Sequence, residues 1–576
     1  MTEPTSISLA QTPNDAVAVG AEASTDHDHH ATQTGLARAT TVLAIGNITS
    51  RVLGFAKEIL LSNLFGAGRQ VDAFQIAITI PQDLYDLAIF GHTNSAVVPV
   101  LSEYAAKDDK QELWGVVSAL ATLIALLSGL LALVMIWFAP QVITLYRGMP
   151  TGSIQFDPFS LSPEIIGLTL PGLTQESFVL SIELLRLTAP SLLFMSVFAI
   201  LSGLLYSLKR FTYPAFAAAL FNLSIVIVTL IAAPQIGIYG VALGWTFGAL
   251  AQLLLQFGGM RGVRLRLMIV ELPRMLRHPA LRKIGLLYLP VLLTLVIDVL
   301  INRTFSYNIA SQTGEGNIAY MNWATSLREF PMGLVGTAIS IAILPTLARQ
   351  ALDEKQRSAF RDTLGQGLRL AITLIVPAAI GLFVLAGPLI GLLFEHGRFT
   401  ADNTVEMAVV LRLYLIGIPF AAADLLLIFA FYARRDSLTP ALIGLFSLIC
   451  YVIITLTLLP HIGFLALMVA DSAKHLIHMT VSFLILRRRI GGLGSQKVWM
   501  TTVKAAAAAC TMGFAVYGAS QLVNAFVPME GLRERMLLVI LPAIFGGALY
   551  FWLANLLQLN EFTLFLKALF RRIRRT

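Results

Sequence analysis

The chain has 576 residues, of which 56% are hydrophobic and only 13% charged, with a mean hydropathy of +0.76 and a formal net charge of +8. An ordinary soluble domain carries about 25% charged residues, so this composition excludes one and points to an all-α integral membrane protein. The alternating short segments of a membrane β-barrel are absent, and the basic residues gather at the ends of apolar runs, which argues against nucleic acid as a partner.

In chain order, residues 1–37 are rich in Thr, Ala, Asp and Ser. They lack the charged-then-apolar layout of a signal peptide and read as a disordered cytoplasmic tail. The cluster Asp26 to His30 within it has metal-ligating residue types, but a solvated tail is the simpler reading. Apolar runs of 18 residues or more then follow one another, each long enough to cross a hydrocarbon core as a helix. Spans are expected near 39–64, 71–101, 113–146, 178–208, 213–233 and 236–257, an N-lobe occupying 38–258. A basic linker, 259–283, leads to a C-lobe, 284–489, with spans near 284–311, 317–347, 365–394, 403–433, 438–459 and 462–486. Two more, near 498–524 and 534–558, make a pair at 490–558, and 559–576 is a basic amphipathic tail suited to an anionic membrane surface. The expected count is fourteen. Cys450 and Cys510 both fall in apolar spans and read as small packing residues.

The connections carry charge unequally. One set, including Lys209, Arg210, the linker arginines 261–282, Arg434, Arg435, Arg487 to Arg489 and the tail, holds 27 Lys and Arg, while the other holds only Arg69, Arg147, Arg398, Arg533 and Arg535. By the positive-inside rule both termini lie in the cytoplasm of a cell whose inner membrane holds the chain.

The chain also resembles itself. Tyr206 to Lys209 with Pro214-Ala215 recurs as Tyr432 to Arg435 with Pro440-Ala441, and Pro234 to Gly237 recurs as Pro460 to Gly463. Val98 to Leu101 and Asp109 to Gln111 recur as Leu344 to Leu347 and Glu354 to Gln356, with an insertion, the loop from Gly148 to Gln175, in the first half. Six spans per half give both repeats one orientation, the arrangement of transporters that carry substrate at the repeat interface.

Ionisable groups inside a bilayer cost ~2.5–3.5 kcal/mol each on insertion scales and tend to face a cavity or a partner. The first span carries Arg51, Lys57 and Glu58; the second carries Asp72, Asp83 and Asp86 on one stripe. The seventh contributes Asp298 and Arg303 and the eighth Arg328 and Glu329. Arg51, Lys57, Arg303 and Arg328 are candidate ligands of an anionic headgroup, since guanidinium forks match phosphate oxygens. The alternative is ion pairing that only registers the helices, for example Arg51 with Asp72. Asp471, Lys474, His475 and His478 share a face of the twelfth span. Asp298, Asp424, Asp471 and His475 are the candidates for a coupling ion, Na+ or H+, and no resident cofactor or metal is expected.

Ser50-Arg-Val-Leu-Gly-Phe-Ala-Lys-Glu58, Phe65-Gly-Ala-Gly68, Asp72-Ala-Phe74, Glu329-Phe-Pro-Met-Gly333 and Phe394-Glu-His-Gly-Arg-Phe-Thr400, in this order, make the chain resemble the MurJ (MviN) lipid II flippases of the MOP exporter superfamily, across about residues 40–490. That resemblance implies fourteen helices in two lobes around a cationic cavity for a diphosphate-sugar headgroup, with helices 13 and 14 forming a groove for the lipid tail. It further implies that Arg51 and Lys57 contact the diphosphate and that Asp72 orients Arg51. Its partners would be a lipid-linked peptidoglycan precursor, membrane lipids and cell-wall synthesis proteins. Two departures stand out. Tyr85 and Asp86 occupy the place of a pair of arginines common in the family, and Thr325-Ser326 replaces an Asp-Arg, with Arg328 two residues on. The rival readings are export of another cargo, such as a polysaccharide-linked lipid or a drug exchanged for cations, a polytopic membrane transferase, and a non-transporting scaffold. The transferase reading has little support, because loop 148–175 offers only Asp157 and Glu164.

Overall fold

The structure is a computed structural model that describes residues 41–87, 93–107, 110–147, 175–275, 277–526, 531–559 and 561. The His-containing tail, most of the 148–175 loop, nearly all of the C-terminal tail and the side chain of Asp298 lie outside the described residues. Every regular element described is a helix. The first half contains α1 (41–65), α2 (Arg69–Tyr85), α3 (Thr93–Ala105), α4 (Lys110–Trp137), α5 (Ala139–Arg147), α6 (Gln175–Thr188), α7 (Ser191–Ser207), α8 (Thr212–Ile236) and α9 (Ile238–Gly258). The second half opens with α10 (Pro279–Leu295), which passes through a π-helical stretch, Val296–Arg303, into α11 (Thr304–Thr313). After it come α12 (Asn317–Pro331), α13 (Ala338–Ala351), α14 (Arg357–Leu393), α15 (Ala401–Ala433), α16 (Leu438–Ile462) and α17 (Leu465–Ile490), and the chain ends in α18 (Val498–Phe526) and α19 (Leu532–Leu556).

Among the described residues nine helices are long and apolar enough to cross a membrane, or ten if α12 and the residues from Val335 to Ala351, bent by 44° at Pro331 to Val335, form one span. The long helical stretches outside that group are α1, α2 with α3, α10 with α11, and α17. These four carry most of the ionisable groups singled out above, and α2, α3, α10 and α11, at 17, 13, 17 and 10 residues, are each too short to cross alone. A lone charge within lipid needs a partner or water, and the partners are supplied across the helix packing.

The internal repeat is written into the backbone. Helices α8 and α16 occupy equivalent positions, and each follows a turn whose lysine or arginine is left-handed: Lys209 has φ 59° and Arg435 has φ 59°. The Arg210 amide donates to the Leu205 carbonyl at 2.8 Å, and the Asp436 amide to the Phe431 carbonyl at 3.0 Å. Each helix then ends at a glycine of the same conformation, Gly237 (φ 60°, ψ −138°) and Gly463 (φ 59°, ψ −143°). A side chain at either glycine would be strained, so the matched Pro-X-Ile-Gly sequences mark one helix-ending turn used twice.

The C-terminal pair packs on α14 through small residues. Ala505, Ala508 and Ala509 of α18 are buried against Ile372 and Val376, and Gly546 of α19 lets Val516 approach so closely that an added Cβ would meet its Cγ2 at 2.3 Å. Small residues of this kind bring membrane helices together by van der Waals contact. Tyr550 of α19 donates to the Thr373 carbonyl of α14 at 2.7 Å.

Candidate functional site

The charged side chains of the two halves meet where the lobes face each other. Arg51, on α1, is exposed, and its guanidinium reaches the second half. A Cβ added to Gly333 would lie 2.7 Å from Nη2 and 3.1 Å from Nη1. Glycine in the bend after α12 therefore makes the room that Arg51 occupies. Among the described residues no carboxylate lies within ion-pairing distance of it. Lys57, one turn and a half further on, is held by Glu58 at 2.8 Å and stands 5.5 Å from the Trp245 ring centroid. Glu58 in turn accepts from the Trp323 indole of α12 at 2.9 Å, a hydrogen bond that ties the two halves.

Asp72 does something other than orient Arg51. Its carboxylate is buried and accepts from the Gly316 amide at 2.6 Å and the Ala319 amide at 2.9 Å. A side chain from the first lobe thus caps the N-terminus of α12 in the second, satisfying amides that have no partner within their own helix and complementing the positive end of its dipole. The expectation of an Arg51–Asp72 pair fails because the two residues meet opposite ends of α12, Asp72 its first amides and Arg51 the glycine beyond its last turn.

The acid stripe of the second span is used up in the same way. Asp83 is fully buried, accepts from the Tyr146 hydroxyl at 2.8 Å and is ion-paired with Arg303, which also lies 3.7 Å from Asp86. The acid standing where the family commonly has arginine is therefore answered by an arginine from the opposite lobe. Arg303 carries a neutralised charge, not a free one.

The second lobe holds two separate clusters. Asp471 pairs with Arg328, with Lys474 at 2.8 Å and with His475 Nε2 at 3.8 Å. Arg328 also lies over the Tyr414 ring at 4.8 Å and Lys474 over the Tyr451 ring at 5.2 Å. The expectation that His478 belongs with Asp471 is not met. Its Nδ1 is 2.6 Å from Asp424 Oδ1, with the Ser482 hydroxyl 3.3 Å away. Asp471, Lys474, His475 and His478 share a face of α17, but two neighbouring helices divide it, α12 taking Asp471 and α15 taking His478.

Three participants have no sequence signal. Arg147, which the sequence alone assigns to an external loop, is buried, donating to the Ser177 carbonyl at 2.7 Å while its own carbonyl accepts from Ser311 at 3.0 Å. Tyr146 and Trp323 look like ordinary aromatic residues near span ends, and only packing reveals them as hydrogen-bond partners of Asp83 and Glu58. Among the described residues no group of three or more metal-capable side chains comes together.

One end of the interlobe surface is built largely from backbone, with the Arg69–Glu315 pair at 3.1 Å beside it. Besides the Asp72 cap, the Arg398 amide donates to the Asn63 carbonyl at 2.9 Å, and Gly397 (φ +60°) sits so close to Asn63 that an added Cβ would be 2.3 Å from its carbonyl oxygen. The other end, beside the basic connections, closes through Lys283 on Glu103 at 2.7 and 2.8 Å and through the Tyr288 hydroxyl on the Asp86 and Leu87 carbonyls at 3.1 and 2.7 Å.

Comparison with known proteins places this arrangement. The family described as "Lipid II flippase MurJ" matches residues 61–536. A "Lipid II flippase MurJ" of Burkholderia cenocepacia is 30% identical over 457 residues, 79% of this chain and 84% of its own length. A "Probable lipid II flippase MurJ" of Haemophilus influenzae is 30% identical over 515 residues, 87% of this chain and 96% of its own. Among solved structures, "Lipid II flippase MurJ, inward closed conformation" superposes with a TM-score of 0.71 at 22% identity over 90% of this chain and 98% of its own. An inward-facing multidrug resistance MATE transporter of the MOP superfamily superposes with a TM-score of 0.58 at 14% identity, over 79% of this chain and 99% of its own. These two likenesses show the fold.

Proposed function

The chain belongs to the lipid II flippase MurJ family, and from that premise we propose that it moves lipid II from the inner to the outer leaflet of the cytoplasmic membrane by alternating access of its two lobes. The observation that carries the reading at the level of residues is Arg51, an exposed guanidinium between the lobes with no carboxylate beside it among the described residues. Every other intramembrane cation expected to contact the headgroup already has an acid: Lys57 has Glu58, Arg303 has Asp83, and Arg328 has Asp471. Arg51 therefore supplies the first fork to the diphosphate, and Lys57 joins it by exchanging Glu58 for substrate. A hydrogen bond to a charged group contributes about 1.5–3 kcal/mol, so Arg51→Ala should slow translocation about ten- to a hundredfold in vesicles containing lipid II. Unchanged transport in the Arg51→Ala, Lys57→Ala double variant would overturn the assignment.

The charge asymmetry of the connections supports fourteen crossings with both termini cytoplasmic, the four charge-bearing stretches then crossing beside their partners. The rival cargo of organic cations gains nothing from the second-span acids, since Asp72 is capping a helix and Asp83 is paired. For the coupling ion we propose a proton at Asp424–His478, where a carboxylate and an imidazole share one hydrogen bond. Asp471 is less suited, because Arg328 and Lys474 take both of its oxygens. Asp424→Asn should flatten the pH dependence of translocation; an unaltered pH profile would remove the pair from consideration.

A further inference from the structure

The motif Phe394-Glu-His-Gly-Arg-Phe-Thr400 is only partly used by the transport site. Phe394 stacks on Trp323 at 5.6 Å and Phe399 lies tilted against it at 5.7 Å between ring centroids, and Gly397 serves the interlobe contact. Glu395 turns the other way, toward the C-terminal helix pair. There its Oε1 accepts from Arg535 at 3.0 Å and its Oε2 from the Thr404 hydroxyl at 2.7 Å. Arg535 also donates to the carbonyls of Gly391 at 2.8 Å and Glu395 at 2.9 Å. The two charges line a cavity of about 330 Å³ whose remaining polar walls are Thr404 of α15 and Ser520, Gln521 and Asn524 of α18.

Depth and charge together say what fits. The cavity lies between α14, α15, α18 and α19, all four long and apolar enough to cross a membrane. Its walls fall within six or seven residues of the helix ends, about 10 Å at 1.5 Å per residue, which is headgroup depth. Beside it α18 and α19 expose Leu522, Phe526, Met536 and Ile540, a surface for acyl chains. Glu395 and Arg535 already pair with each other at 3.0 Å, so a ligand of one charge could engage one of them only by leaving the other without its partner. A molecule with a phosphate and an ammonium a few ångströms apart satisfies both. We propose that this cavity binds the headgroup of a zwitterionic phospholipid of the phosphatidylethanolamine type, its phosphate on Arg535 and its ammonium on Glu395, with the acyl chains along α18 and α19.

The test does not depend on transport. The purified full chain is presented with equimolar phosphatidylethanolamine and phosphatidylglycerol of the same acyl composition, and retained lipid is read by native mass spectrometry. The wild type should keep one ethanolamine lipid with about tenfold preference, the size of effect a single well-placed charge contact gives. Glu395→Gln should bring that preference close to one. Gly387→Leu offers a second route, because a Cβ there meets no atom within 4 Å and leucine favours the helix; it should fill the cavity and cut retention of both lipids while the protein stays folded. Equal retention of the two lipids by the wild type, or ethanolamine lipid retained undiminished by Gly387→Leu, overturns the proposal. So does displacement of the retained lipid by undecaprenyl diphosphate that Gly387→Leu blocks, which would give the cavity to the polyprenyl carrier.

Discussion

The two ends of the interlobe surface are closed by different materials. At one end the contacts are backbone amides, a buried carboxylate and glycines with close approach, with one exposed pair, Arg69 and Glu315 at 3.1 Å, beside them; at the other they are a solvent-exposed Lys–Glu pair and one tyrosine hydroxyl. Backbone contacts of the first kind have no intermediate geometry: a helix N-terminus is either capped or leaves buried donors without partners. Long charged side chains of the second kind part gradually and remain solvated, and exposed pairs contribute only about 0–1 kcal/mol. The basic end is thus held by the weaker contacts, whereas parting the Asp72 end would leave buried amides unpaired unless something replaced their hydrogen bonds as a unit.

Breaking the Asp72 cap should have the largest effect. Asp72→Ala leaves two buried amides unpaired at about 1–3 kcal/mol each, so thermal unfolding in detergent should show a loss of roughly 3 kcal/mol or more. A loss below 1 kcal/mol would mean the cap does not hold the lobes. Next comes Gly397→Ala, which puts a Cβ into the Asn63 backbone at a left-handed φ. Overpacking typically costs about 1–3 kcal/mol, and cysteines placed across this end should become more accessible to a thiol reagent. At the opposite end Tyr288→Phe removes the hydroxyl that reaches the Asp86 and Leu87 carbonyls and should cost about 1 kcal/mol. Smallest is Glu103→Gln, expected to change stability by less than about 1 kcal/mol and only at low salt. If Glu103→Gln proved the more damaging substitution, the contrast between the ends would be reversed.

Much of this was readable from residue order, because apolar length, the positions of Lys and Arg, and a repeat of four residues around Pro and Gly are local properties of the chain. They determined an all-α membrane protein with two related halves, and the resemblance of the Ser50 to Glu58 stretch pointed to the family. They also marked Arg51, Lys57, Arg303 and Arg328 as charges that need an explanation. Which partner each one takes was decided only by tertiary structure. Asp72 faces the amides of α12, Asp83 faces Arg303, and His478 faces Asp424, all across more than fifty residues of chain. Helical periodicity gives the direction of a side chain about its own axis, but not the neighbour that waits there. In a low-dielectric interior, where an unpaired charge is most costly, that neighbour determines whether a charge holds the fold together or remains for a substrate.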